Sequence, residues 1–228
     1  MQPAPAACPP VQVSVVVDKT GSADRNRTPQ PDAAAFDPLY ELLLQCGGEI
    51  AAGVFGSRDN GPLLRLRIDP PAAPPAPADP TLNPLQYDDQ RREERKARAL
   101  ADSANLAREK DAYARIQAFD AELEPLLGQA TAARCSDIAA GLRRMARFHN
   151  EPASNWAVAP RKYLIAVSDG DHNCGPQTLD PVPGVRVLAV NGAPGLGILA
   201  ELHAVPLESY PAALHLIAAE TATPRRKE

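Results

Sequence analysis

Three short polar clusters interrupt otherwise apolar runs in this 228-residue chain: Asp18-Lys19-Thr20-Gly21-Ser22, Ser136-Asp137, and Ser168-Asp169-Gly170-Asp171. Asp18, Thr20, Ser22, Ser136 and Asp169 offer two carboxylates and three hydroxyls. All five are hard oxygen donors, a set that suits Mg2+, with Mn2+ or Ca2+ as substitutes. The alternate spacing of Asp18, Thr20 and Ser22 lets one loop turn all three inward, and Gly21 leaves room for the backbone to bend. Ser136 opens a helical pattern as its expected N-cap, where the helix dipole tolerates a nearby anion. His172 and Cys174 follow Asp169, but two softer donors on one loop are poor evidence for a softer metal.

These clusters must be held by regular elements. Residues 11–17, VQVSVVV, form a β-branched run ending at Asp18, as a buried parallel strand does. Asp37-Pro38 predicts a helix start, Asp as N-cap and Pro in the first turn, and Gly47-Gly48 ends that helix. Glu49–Phe55 reads as a second strand. LLRLRI, residues 63–68, reads as a third, antiparallel to the second and at the sheet edge, because its alternating arginines leave one face open. Ser136–His149 reads as a helix, YLIAVSD and VRVLAVN as two more buried strands, 195–203 as a short helix and 209–220 as a closing one. The order β-α-β-β-(insert)-α-β-α-β-α predicts an α/β fold, a doubly wound, mainly parallel sheet with helices on both faces. Ligands of such sheets bind at the strand carboxyl ends, where Asp18 and Asp169 fall.

Residues 70–133 interrupt this order. Pro70–Pro84 is a stiff, polyproline-like stretch, and a helix rich in Ala, Glu, Arg and Lys follows from about Gln86 to Leu127. Leu106, Tyr113, Ile116, Leu123 and Leu127 mark a rough heptad seam along it. Ten acids and eight bases between Asp88 and Glu124 nearly cancel. The stretch is expected to be an ordered insertion within one domain spanning 1–228, beside the metal face and packed through Tyr113, Ile116, Leu123 and Leu127. It would either shape a binding surface or cover the edge strand.

Composition excludes several classes. A net charge of −4 provides no electrostatic case for nucleic acid. No apolar run approaches the roughly 20 residues of a membrane helix. Aromatics at 4% leave Val, Leu, Ile and Ala to build the core, as in a buried sheet flanked by helices.

The clusters in this order resemble von Willebrand factor type A domains and their metal-ion-dependent adhesion site. Asp18, Thr20 and Ser22 match that family's Asp-x-Ser-x-Ser motif, Ser136 takes its Thr position, and Asp169 its last Asp. The resemblance covers residues 11–69 and 134–220. It implies a Rossmann-like fold and a binding module rather than an enzyme, whose divalent cation captures a partner protein's Asp or Glu carboxylate. Arg25, Arg27 and Asp171, close to the motif residues, are candidates to meet that partner. A rival resemblance exists: Asp18-Lys19-Thr20-Gly21-Ser22 is one methyl from the phosphorylation motif of P-type ATPases in the haloacid dehalogenase superfamily. There Asp18 would be a phosphoryl-accepting nucleophile. Against it, Thr20 stands where a soluble phosphatase carries its general acid, and His172-Asn173 replaces the expected Asn-Asp.

Four cysteines permit two disulfides. The predicted topology places Cys135 and Cys174 at the metal rim and Cys8 and Cys46 at the opposite rim. The expected pairs, in an exported protein, are therefore Cys135–Cys174 and Cys8–Cys46. An extracytoplasmic or periplasmic location, with any secretion signal removed, is favoured over the cytoplasm on this pairing alone.

Overall fold

The computed structural model describes residues 8–21, 30–56, 63–129, 135–151, 156, 158–170, 172–174, 178–179, 181–190 and 196–222. Strand β1 (Val11–Asp18) is entirely buried. A 3-10 turn (Ala34–Phe36) leads into helix α1 (Asp37–Cys46), and β2 (Gly48–Phe55) and β3 (Leu64–Ile68) follow. Then come the 45-residue helix α2 (Pro84–Gly128), α3 (Ile138–Asn150), β4 (Arg161–Val167), β5 (Val185–Val190), a second 3-10 helix (Gly197–Leu202), β6 (Val205–Leu207) and α4 (Tyr210–Ala222). The six strands run in the order β3-β2-β1-β4-β5-β6, and only β3 is antiparallel to its neighbour.

This is the doubly wound α/β sheet that the strand pattern implies. The chain builds outward from β1 to β3, then crosses to place β4 on the other side of β1. The switch in winding therefore lies between β1 and β4, whose carboxyl ends diverge there and leave a crevice. Strand periodicity divides the layers. Val11, Val13, Val15 and Val17 pack under α1, α2 and α4, while Val16 faces Ile138, Leu142 and Met145 of α3. Gln12, Ser14 and Asp18 share the α3 face by the same alternation. There the Gln12 amide donates to the Phe148 carbonyl at 3.2 Å, and Ser14 Oγ lies 2.8 Å from His149 Nε2.

Several local expectations need correction. Asp37 is the first residue of α1 rather than its cap; Asp32 receives the Ala35 N–H at 2.9 Å and starts the turn one step earlier. No helix separates β4 from β5 among the described residues, and 195–203 yields a 3-10 helix. Strand β6 was not among the expected strands; it contains Pro206, and an edge strand tolerates the missing donor. The seam of α2 is also different. Ala112, Ile116, Phe119, Leu123, Leu126 and Leu127 are buried, whereas Tyr113 is 51% and Leu106 71% exposed. The buried set recurs at four and three residues and meets Leu66, Ile68 and α1, whereas Tyr113 and, seven residues earlier, Leu106 stand one residue, about 100°, round the helix from the Ala112–Phe119–Leu126 row.

The carboxyl-terminal third of α2 thus covers edge strand β3 and belongs to the core. Its Phe119 ring meets Tyr40 edge-on at 6.2 Å, and Asp120 accepts the Tyr40 hydroxyl. Arg108 donates to the Leu43 and Leu44 carbonyls at the end of α1, which lies at the amino-terminal edge of the sheet. Before Arg108, the helix is an arm whose partner is the Pro-rich segment. Asn105 exchanges hydrogen bonds with the Ala72 backbone, Glu94 accepts from Ala78 N–H, and Gln90 accepts from Asp79 N–H. The two chains are commensurate: Ala72 to Asp79 advances about 22 Å as polyproline-type chain, and Gln90 to Asn105 about the same as helix. The insertion therefore leaves the body at the amino-terminal edge of the sheet, not beside the carboxyl-terminal strand ends as expected, and returns toward Cys135 only through its last turns.

Disulfides join Cys8 to Cys46 and Cys135 to Cys174. Each closes a loop of nearly forty residues, so reduction should cost about 2–4 kcal/mol per bond. Denaturant midpoints with and without reductant measure this. Free thiols in the native, unreduced protein would contradict it.

Candidate metal centre

Asp18 ends β1 and Ser168 follows β4, directly across the switch crevice from it. The pairing register continues from Val17–Val167, so the two side chains adjoin. Ser168 Oγ donates to Asp18 Oδ2 at 2.8 Å and accepts the Gly170 N–H at 3.1 Å. The Thr20 N–H donates to Asp18 Oδ1 at 2.9 Å, closing the turn after the strand. Ser136 Oγ lies 2.9 Å from Thr20 Oγ1 and 3.4 Å from Asp18 Oδ2. Asp18, Thr20, Ser136, Ser168 and Asp169 are all buried.

Ser136 is not the cap of α3. Asp137 takes that role, accepting the Ala140 N–H at 2.9 Å, which frees the Ser136 hydroxyl for the crevice. Its backbone is held from the other side: Ser136 N–H donates to Asn173 Oδ1 at 2.7 Å, and its carbonyl accepts from the Asn173 and Cys174 N–H groups. The Cys135–Cys174 bond ties the same two segments covalently. Gly170, at φ +83°, and Gly197 pass so closely that a Cβ on Gly197 would meet the Gly170 carbonyl at 2.1 Å. Only glycine permits that approach, which seats the loop after β4 against the 3-10 helix.

The electrostatics of the crevice favour a cation. Burial pushes the Asp18 carboxyl above its ordinary value, hydrogen bonds from Thr20 and Ser168 oppose this, and the Asp169 charge adds to the rise. Two buried carboxylates that interact unfavourably, ringed by hydroxyls, form a donor set that a divalent ion would relieve. Thr20, Ser136 and Ser168 with Asp18 and Asp169 fit such an ion. Among the described residues no three His, Cys, Asp or Glu side chains gather as a metal group, in this crevice or beyond it. A cation here would rest on hydroxyls as much as on carboxylates.

Of the residues singled out in the sequence, the structure brings together Asp18, Thr20, Ser136 and Asp169. Ser22, Arg25, Arg27 and Asp171 lie outside the described residues. Ser168 was missing from the donor set. Its signal was strand alternation, which places it on the Asp18 face two residues beyond Ala166. The softer donors are reduced to His172, since Cys174 is in a disulfide; both buried ring nitrogens of His172 lack a hydrogen-bond partner.

No family model matches the chain, and no curated protein matches it. Solved structures do. Proximal thread matrix protein 1 from the mussel byssus, in a structure with a zinc-occupied metal-ion-dependent adhesion motif, is 14% identical with a TM-score of 0.41. The match covers 93% of this chain and 47% of that one. A second crystal form of the same protein matches at 14% identity and a TM-score of 0.39, over 93% and 48%. The chain spans about half the length of these neighbours.

Proposed function

We propose that this chain is a metal-dependent protein-binding module of adhesion or assembly. A divalent cation in the β1–β4 crevice, Mg2+ or else Mn2+ or Ca2+, captures an Asp or Glu carboxylate of a partner protein. The observation that carries this reading is the buried Asp18–Asp169 pair ringed by Thr20, Ser136 and Ser168. Thr20 and Ser136, with Ser22 by motif, supply hydroxyl ligands, while Asp18 and Asp169 bind directly or through water. Hydroxyl-rich ligation leaves the ion electrophilic, which is the chemistry it brings to an acidic partner. Arg25, Arg27 and Asp171 are assigned to the partner face, and the module is assigned to residues 1–228. Two disulfides support an oxidising, extracytoplasmic setting. Among the described residues no helix is long and apolar enough to cross a membrane.

Capture from a source-cell extract in Mg2+, with release by chelator, tests the reading. A partner held equally in both buffers would count against it. In the same preparation, turnover of p-nitrophenyl phosphate that disappears in Asp18→Asn would favour the phosphotransferase instead.

The clamp on Ser136 adds a second expectation. Removing Cys135–Cys174 by serine replacement should lower divalent-cation affinity about tenfold, as loss of an outer support does. Removing Cys8–Cys46 at the far rim should leave affinity unchanged. Calorimetric titration of both variants checks this, and equal losses would argue against the positioning role.

A further inference from the structure

The loop after β4 and the segment before α3 meet at the Ser136 backbone, and a disulfide lies against that meeting point. Ser136 N–H donates to Asn173 Oδ1 at 2.7 Å, and its carbonyl accepts from the Asn173 and Cys174 N–H groups at 3.2 and 3.3 Å. Asn173 is exposed, so water competes for its bonds. The covalent bond between Cys135 and Cys174 joins the same two segments and faces no such competition. Closing the loop also carries a penalty. His172, next to Asn173, has both ring nitrogens buried without a hydrogen-bond partner among the described residues. Opening the loop hydrates that ring, whereas closing it desolvates two polar atoms with nothing in return. The disulfide therefore holds an arrangement that the hydration of His172 opposes.

We infer that Cys135–Cys174 is a reversible redox latch on the cation crevice, a role that rests on the metal-binding reading above. Reduction by a dithiol takes two exchanges. A reductant thiolate attacks one sulfur and displaces the other as a thiolate; the reductant's second thiol then displaces the remaining protein sulfur. The protein gains two thiols and the reductant closes to its own disulfide, so two electrons and two protons pass. Both cysteines are partly exposed and either sulfur is open to attack, whereas Cys46 of the other disulfide is 2% exposed. With the latch open, hydrogen bonds at an exposed Asn173 alone hold Ser136, and its hydroxyl is no longer fixed 2.9 Å from Thr20 Oγ1. Cation binding and oxidation thus favour the same closed arrangement. The coupling is reciprocal: if reduction weakens cation binding about tenfold, bound cation makes reduction about tenfold harder. That factor is about 30 mV for a two-electron couple. Cys8–Cys46, at the opposite rim, has no such coupling. Capture of an acidic partner is consequently weakened in a reducing compartment and restored in an oxidising one.

Equilibration of the full chain in mixtures of reduced and oxidised dithiothreitol, with saturating Mg2+ or with chelator, tests the latch. Alkylation and peptide mass read each cysteine pair separately, and circular dichroism follows the fold. Mg2+ should raise the reduced-to-oxidised ratio at the Cys135–Cys174 midpoint about tenfold and leave the Cys8–Cys46 midpoint unmoved. His172→Leu removes the buried polar atoms, so in chelator alone it should move the Cys135–Cys174 midpoint in the same direction. A midpoint unmoved by Mg2+ while calorimetry records Mg2+ binding would overturn the latch and leave the cation site standing. Absence of Mg2+ binding to the oxidised protein would overturn both. Equal shifts at the two cysteine pairs, loss of helix together with reduction of Cys135–Cys174, or an unmoved midpoint in His172→Leu would each overturn the latch.

Discussion

Asp18→Asn should abolish divalent-cation binding while leaving the chelator-treated protein as stable as the wild type, or more so. Asn keeps an acceptor for the Thr20 N–H, and the Ser136 and Ser168 hydroxyls can turn to accept from its amide. What it removes is a buried charge that burial and Asp169 both disfavour. Without metal that charge is a cost, so its loss should change stability by no more than about 1 kcal/mol in the unfavourable direction. With metal the balance reverses. A ligand carboxylate exchanged for a neutral amide should lower affinity about 100-fold or more, beyond the range seen for outer supports. At a cation concentration of 100 times Kd, the wild type should gain about 2.7 kcal/mol and Asp18→Asn nothing. Calorimetry and thermal melts with Mg2+ or chelator read both halves. Equal heats from the two proteins would sink the assignment of the site.

Acid should destabilise the fold through His149. Its ring is fully buried beside Ser14, and burial, reinforced by the Lys162 charge, lowers its pKa from about 6.5 to about 3. Between those values the unfolded chain binds a proton that the folded chain refuses. Unfolding free energy therefore rises with pH across this window, and the stability is complete above about pH 6.5. It is lost as pH falls toward 3, at about 1.4 kcal/mol per pH unit. From pH 7 to pH 4 this one group should remove about 3 kcal/mol. His149→Gln keeps a polar partner for Ser14 without a titrating ring, so its stability should fall less steeply by about one proton. Denaturant titrations at half-unit pH steps compare the slopes. Parallel profiles for the two proteins would show that His149 does not titrate as its burial demands.

The clustering of Asp18, Thr20, Ser136 and Asp169 was legible because each lies just past a strand or just before a helix, and strand ends in a doubly wound sheet converge. Their pattern is local and survives as sequence. Ser168 was not, because it adds no motif of its own and becomes a donor only through the β1–β4 register. The capping role likewise went to Ser136 by helix preference. The structure transfers it to Asp137, since Asn173 and the disulfide hold the Ser136 backbone one residue ahead of the helix.

By itself the sequence determined five of the six strands, the antiparallel edge, the long ordered helix and the cysteine pairs. Periodicity and turn chemistry act within about ten residues, and chain reversals at Gly47 and Gly48 carry them forward. Tertiary structure decided which face of α2 is core and where its arm points. A helix of 45 residues with apolar groups on two faces has no local preference between them. Only contact with Leu66, Ile68 and Tyr40 buries the Ile116 face, and only the matched rise of the Pro-rich chain occupies a second, leaving the Leu106 face to solvent.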